Sequence, residues 1–238
     1  MKSCRFFLYL LLPALLAAPV FAAEKTITVL ELFTTQSCAD CPPADMILEK
    51  IADEGQDHVI ALGCHITYFD AGPWKDTLSI PACDERQGDY FRSVPLEAIY
   101  TPQLIINGRF DAKGNKESLV RAAIAMSQSV NMVRELQVDL TSDSLQITLP
   151  AITLKKPASL WVIGYDFSNT TIITAGQNAG QTIRYVNPVR HIKKILDWDG
   201  KAMAMAFPLT DIEAQAYAVI AQDKDSGDIV AAGKIEKR

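Results

Sequence analysis

The chain has 238 residues, of which 49% are hydrophobic and 21% charged, with a formal net charge of −5. That apolar fraction excludes a disordered chain and supports one large folded domain or two small ones. The acidic balance leaves no surplus of Lys and Arg to neutralise phosphates, so nucleic-acid binding is not expected.

The first 25 residues, MKSCRFFLYLLLPALLAAPVFAAEK, carry Lys2 and Arg5 ahead of an apolar run from Phe6 to Leu16, then small residues with Val20 and Ala22 at the −3 and −1 positions of a cut after Ala22. This is the layout of a secretory signal peptide over residues 1–22. The run is too short to span a bilayer, and no later segment is apolar enough to do so. A periplasmic or secreted location is therefore expected. Cleavage removes Cys4 and leaves Cys38, Cys41, Cys64 and Cys83, an even set that permits two disulfides in an oxidising space.

TITVLELFTT (26–35) reads as a buried strand. ADMILEKIADEG reads as a helix, with Met46, Ile47, Ile51 and Ala52 at helical spacing and Gly55 as its stop. HVIALGCHIT (58–67) is a second strand. Residues 68–84 look irregular and 85–93 form a short helix. TPQLIING is a third strand, whose Asn107-Gly108 turns into a hairpin. KESLVRAAIAMSQSV is a helix with Leu119, Ala122, Ala123 and Met126 on one face, and from Val133 the pattern alternates as a series of strands. The expected architecture is an α/β thioredoxin-like domain over 26–130, followed by a β-rich, sandwich-like C-terminal domain over 133–238.

Cys38-Ala39-Asp40-Cys41 lies between a strand and a helix, with Pro42 and Pro43 in the first helical turn. The free N–H groups and dipole of a helix N-terminus stabilise a thiolate there. This spacing points to a redox disulfide, Cys38 attacking and Cys41 resolving. Asp40 between them opposes thiolate formation or caps the helix. Tyr100-Thr101-Pro102-Gln103 precedes an apolar strand, as the cis-proline of a thioredoxin fold does. Thr101 and Pro102 are thus expected to position a substrate backbone, with the Thr101–Pro102 bond cis.

The segments VLELFTTQSCADCPPAD, YFDAGPWKD, RQGDYF, YTPQLIINGR and RYVNPVRHIKKILDW resemble the exported thioredoxin-like proteins of Gram-negative bacteria called the domain of unknown function 1223 family. The resemblance covers nearly all of the mature chain and is most specific in the first and fourth segments. It implies fold and compartment, and carries over Cys38, Cys41 and Pro102, but it brings no settled activity.

Glu31 interrupts an apolar strand. It is either a buried acid shuttling a proton for Cys41, or an ion-paired or edge residue. Cys64 and Cys83 are expected to form a structural disulfide, with free thiols or a zinc site drawing on the four cysteines or His65 as alternatives. Trp74, with Tyr68 and Phe69, is a candidate substrate surface or the core of the 68–82 insertion. Arg86, Arg92 and Arg109 are expected to be solvated or salt-bridged. The leading function is thiol–disulfide oxidoreduction on protein or small-molecule thiols and disulfides, requiring no cofactor and no resident metal. The alternatives are a non-catalytic binding module with a structural disulfide, or a copper- or zinc-handling protein using Cys38, Cys41 and His65.

Overall fold

The computed structural model describes residues 26–130 and 132–237; the signal peptide expected over 1–22 lies outside them. The first element, β1 (Thr26–Thr34), is buried along almost its whole length, as expected of a strand covered on both faces. It leads through a turn into α1 (Cys41–Glu54), which carries Pro42 and Pro43 in its first turn and ends where the Gly55 N–H bonds to the Ile51 carbonyl. Then follow β2 (Val59–His65), an irregular segment, α2 (Pro81–Ser93), β3 (Gln103–Ile106), β4 (Phe110–Lys113) and α3 (Glu117–Val130). The remaining elements are all strands. They are β5 (Val133–Glu135), β6 (Gln137–Leu140), β7 (Ser144–Leu149), β8 (Ala158–Tyr165), β9 (Ser168–Ile172), β10 (Thr182–Val186), β11 (Val189–Trp198), β12 (Met203–Pro208), β13 (Ala216–Asp223) and β14 (Ile229–Glu236).

The expected α/β thioredoxin-like domain followed by a β-rich domain is corrected by the sheet. Nine strands from both halves join in one sheet, in the order β11-β8-β13-β14-β5-β1-β3-β4, with β2 also paired to β1. The junction is β5, which pairs antiparallel with Thr26 and Ile27 of β1 and parallel with Ala231 and Ala232 of β14. Fourteen strands and three helices among the described residues make the chain predominantly β. The change of texture near residue 133 suggests separate units. Local texture carries no information about a pairing between residues 27 and 133.

Side chains alternate across β1. Leu30 and Leu32 meet Ala44, Leu48 and Ile51 of α1 and Val120 of α3. Val29 and Phe33 face the other way, into a core shared with Cys83 and Tyr90 of α2 and with Ile163, Ala218 and Ile220 of the C-terminal strands. A three-stranded sheet, β12-β7-β6, covers the C-terminal strands through Leu145, Ile147 and Leu149 against Leu160, Val162 and Val219. The helical faces differ from expectation. Met46 is 67% exposed, and Leu119 and Met126 face solvent. The buried stripe of α1 is Cys41, Ala44, Asp45, Leu48 and Ile51. No helix among the described residues is long and apolar enough to cross a membrane.

Candidate functional site

Cys38 and Cys41 form a disulfide with their Cα atoms 5.4 Å apart. The turn that closes it runs from the Cys38 N–H to the Thr35 carbonyl and from the Cys41 N–H to the Cys38 carbonyl, each at 3.3 Å. Cys41 is the first residue of α1, so the pair sits on the positive end of the helix. Asp40 makes no side-chain cap. Cys38 is 5% exposed and Cys41 fully buried. A pair at a helix N-terminus can open to a stabilised thiolate, but access to Cys38 is restricted.

The restriction comes from the loop 173–181 between β9 and β10. The Asn178 side-chain amide donates to the carbonyls of Gln36 (2.9 Å) and Cys38 (2.8 Å), and Gln177 Oε1 accepts from the Ala39 N–H at 3.1 Å. Gly176 makes the close approach possible. Its φ is +79°, and a Cβ there would stand 3.2 Å from the Trp74 Cβ. On the other side, Trp74 Nε1 donates to Gln36 Oε1 at 2.9 Å, the Trp74 carbonyl accepts from Ser37 Oγ at 2.9 Å, and Asp76 Oδ2 accepts from the Gln36 N–H at 2.8 Å. The cysteine loop is thus clamped between the 68–80 segment and the 173–181 strap. Beside it a cleft of about 530 Å³ is lined by Ser37, Phe69, Gly72, Pro73, Gly176 and Gln177. Trp74 packs with Leu78, Ile173, Ile183 and Tyr185 rather than among those lining residues.

The Thr101–Pro102 bond is cis, and Pro102 is buried. Its carbonyl accepts from the Gly114 N–H at 3.0 Å. Gly114 brings the segment under α1, since a Cβ on it would lie 2.8 Å from Leu32, 3.0 Å from Ala44 and 3.4 Å from Pro102. Pro102 therefore stands close to Ala44, the residue one turn past Cys41.

Glu31 is not brought to the disulfide. It shares the face of Val29 and Phe33, with β1 between it and α1. Both its oxygens accept from Arg86, from Nε at 2.8 Å and from NH2 at 3.0 Å, and the Tyr90 hydroxyl also donates to it. Arg86 NH1 donates to Gln222 of β13 at 2.6 Å, and the Arg86 side chain is 1% exposed. Burial disfavours the guanidinium charge, but the adjacent Glu31 outweighs it and raises the Arg86 pKa. Glu31 thus anchors α2 to the sheet, in the ion-paired arrangement rather than beside Cys41.

Cys64 of β2 and Cys83 of α2 form a second disulfide, fully within the core. With both pairs closed, no cysteine among these four offers a thiolate. Among the described residues no group of three or more His, Cys, Asp and Glu side chains is placed to hold a metal ion. His65 Nδ1 instead bonds Asp76 Oδ2 at 2.7 Å, both side chains buried.

Sequence reasoning missed two buried acids, Asp45 of α1 and Asp76 of the 68–80 segment. Asp45 lies four residues after Cys41, on the same buried stripe, and accepts from Thr34 Oγ1 at 3.3 Å. Burial pushes its carboxyl up to about 7, against the opposing pull of His65 and the Thr34 hydrogen bond. Burial acts in the same direction on Asp76, but His65 and the N–H groups of Gln36 and Leu78 outweigh it and hold that carboxyl below the usual range. The signal for Asp45 was available, since i and i+4 share one face of a helix. No sequence signal pointed to Asn178, which arrives from 140 residues away.

A family model described as "Protein of unknown function (DUF1223)" matches residues 29–222. A crystal structure of a protein from Agrobacterium tumefaciens, the product of a structural-genomics effort, is 28% identical, with a TM-score of 0.77 over 91% of this chain and 97% of that one. The structure of HBP35 of Porphyromonas gingivalis shares the fold at 15% identity, with a TM-score of 0.56 over 91% of this chain and 76% of that one. Comparison with curated proteins gives no match.

Proposed function

The chain belongs to the DUF1223 family, and since that family brings no assigned reaction, we propose from the geometry of its own residues that Cys38–Cys41 is a thiol–disulfide exchange centre. The observation that carries this reading is the closure of the disulfide on the first residue of α1, where a leaving thiolate is stabilised. In the reducing direction the Cys38 thiolate attacks a substrate R–S–S–R′, forms the Cys38–S–S–R mixed disulfide and expels R′S⁻. Cys41, as thiolate, then attacks Cys38 Sγ and expels RS⁻. Two electrons pass from the two thiols to the substrate, and two protons accompany the released thiols.

The signal-peptide layout of residues 1–22 and the second disulfide at Cys64–Cys83 support action outside the reducing cytoplasm, in a periplasmic or secreted location. Substrates are protein or small-molecule thiols and disulfides. In this reading Thr101 and Pro102 position a substrate backbone, supported by the closeness of Pro102 to Ala44 of α1, and the cleft beside Ser37 is the route of approach. The strap 173–181 limits which substrates reach Cys38.

A second reading is favoured by one observation, the near-complete burial of Cys38 under that strap. In it the pair is a stabilising cross-link and the chain a non-catalytic binding module. Glutathione equilibration separates the two. Exchange gives a Cys38–Cys41 population that follows the buffer ratio and a Cys38–glutathione adduct in a Cys41→Ser variant. A cross-link gives neither without unfolding.

A further inference from the structure

The three-stranded sheet has β12 (Met203–Pro208) at one end, paired with β7 on one side and with no strand on the other. A bare strand edge is a row of unpaired N–H and C=O groups, and proteins guard such rows with charge, short length or a bulge. Other edges of this molecule are guarded in these ways. β11, at the end of the nine-stranded sheet, carries Arg190, Lys193 and Lys194, and its register is interrupted twice. β4 is four residues long with Asp111 and Lys113, and β6 is four residues long with Asp139. β12 has none of these devices. Its register with β7 runs unbroken from Met203 to Pro208, and no charged side chain occurs from Ala202 to Thr210.

The direction of its backbone groups follows from one hydrogen bond. The Leu209 N–H bonds the carbonyl of Asp143, the residue before β7, at 2.9 Å. Backbone groups alternate in direction along a strand, so Met203, Met205 and Phe207 also turn theirs to β7. Ala204 and Ala206 turn both N–H and C=O to the open side. Pro208 has no N–H and closes the row with a carbonyl. Side chains alternate as well. Met205 and Phe207 pack on the C-terminal core, Met203 is left 36% exposed, and Ala204 and Ala206 face solvent.

We propose that β12 is a self-association edge, and that its occupant is β12 of a second copy of this chain related by a two-fold axis. Antiparallel pairing about Met205 sets Ala204 against Ala206 of the second copy, and Ala206 against Ala204 of that copy. Each of these pairs exchanges two N–H to C=O bonds. Met205 meets Met205 and Met203 meets Phe207 on the core side of the sheet, so each copy covers the apolar row that the other leaves half open. Charge makes a second copy the fitting partner. A strand without charge meets its own image without repulsion. Its flanks are opposite in sign. Lys201 precedes it, with a side chain 84% exposed beside Asp199. Asp211 follows it, exposed and without a partner among the described residues. Antiparallel order brings the Lys201 end of each copy to the Asp211 end of the other. The two small sheets become one, β6-β7-β12 continuing into β12-β7-β6. So short a ladder buries less than the roughly 1,200 Å² of a stable interface, and the pair therefore separates on dilution.

The test is sedimentation equilibrium of the full mature chain, with its disulfides intact, from about 10 μM to about 1 mM. The wild type is expected to pass from monomer to dimer across this range. Ala204→Pro removes an N–H that faces the open side and leaves the β7 ladder whole, so it folds with the wild-type urea midpoint and raises the dissociation constant about tenfold or more. A wild type that stays monomeric at about 1 mM overturns the proposal and leaves the edge to a different strand. A dimer whose dissociation constant is the same in Ala204→Pro also overturns it, because the contact then lies on another surface. Should Ala204→Pro fail to fold, amide hydrogen exchange of Ala204 and Ala206 is followed in the wild type at both ends of the range. Protection that appears only at the high concentration supports the pairing, and equally fast exchange at both overturns it.

Discussion

Asn178 donates its side-chain amide to the carbonyl of Cys38 at 2.8 Å, across 140 residues of sequence. The same amide holds the Gln36 carbonyl, so one buried side chain ties the strap to the cysteine loop at two points, with Gln177 adding a third at Ala39. Replacing it with alanine strands both carbonyls under the strap, at a cost of about 1–2 kcal/mol, and loosens residues 173–181. Asn178→Ala is expected to speed exchange with a protein disulfide such as insulin more than with a small thiol. An unchanged ratio of the two rates shows that the strap does not select substrates.

Glu31 and Arg86 form a paired charge in the core, completed by Tyr90 and Gln222. Removing one partner leaves a buried charge uncompensated. Arg86→Met is expected to cost about 3–5 kcal/mol in denaturant unfolding, and Glu31→Gln with Arg86→Met recovers part of that loss. Because β1 separates this pair from α1, the folded variants keep wild-type exchange kinetics. A kinetic change in a folded Glu31→Gln variant returns Glu31 to the exchange site.

The raised carboxyl of Asp45 makes stability depend on pH. Between its ordinary value of 3.8 and about 7 the folded chain holds a proton that the unfolded chain has released. Its contribution to stability therefore declines as pH rises across that window and levels off above it. Asp45→Asn, which keeps an acceptor for Thr34, is expected to be more stable than the wild type at pH 8, on the order of 2–4 kcal/mol, with the difference closing below pH 4. The opposite shift at Asp76 is present in both chains and largely cancels. Urea midpoints at pH 4, 6 and 8 check the sign, and a constant difference contradicts it.

Cys64–Cys83 closes a separation of 19 residues between β2 and α2. Replacing both with alanine is expected to cost about 3 kcal/mol from the unfolded-chain entropy alone. The Cys38–Cys41 exchange should survive, since the second pair lies in the core on the α2 side of the sheet. Loss of exchange in a folded double variant shows that the two disulfides act together.

Local chemistry was legible in the sequence where it depends on neighbours along the chain. The Pro42-Pro43 helix start, the Asn107-Gly108 hairpin and the cysteine pair at the bend are of this kind. The faces of α1 and α3 were misjudged because Met46, Leu119 and Met126 are apolar yet point outward, while Asp45 and Ser127 are polar and buried. Hydrophobicity alone cannot reveal a buried acid whose partners, Thr34, His65 and Asp76, come from other elements. The continuous sheet was illegible for the same reason. It depends on β5, three residues long, bridging β1 and β14. The strap is a contact of a C-terminal loop with an N-terminal turn, and neither segment carries a mark of the other.

The most direct test of the central claim is the equilibrium of the oxidised chain with glutathione buffers of graded ratio, read by mass spectrometry of acid-trapped, alkylated peptides. The account predicts reversible opening of Cys38–Cys41, with Cys64–Cys83 still closed, and a glutathione adduct on Cys38 in the Cys41→Ser variant. A Cys38–Cys41 bond that stays closed in every buffer until the chain unfolds would contradict it and leave a structural cross-link.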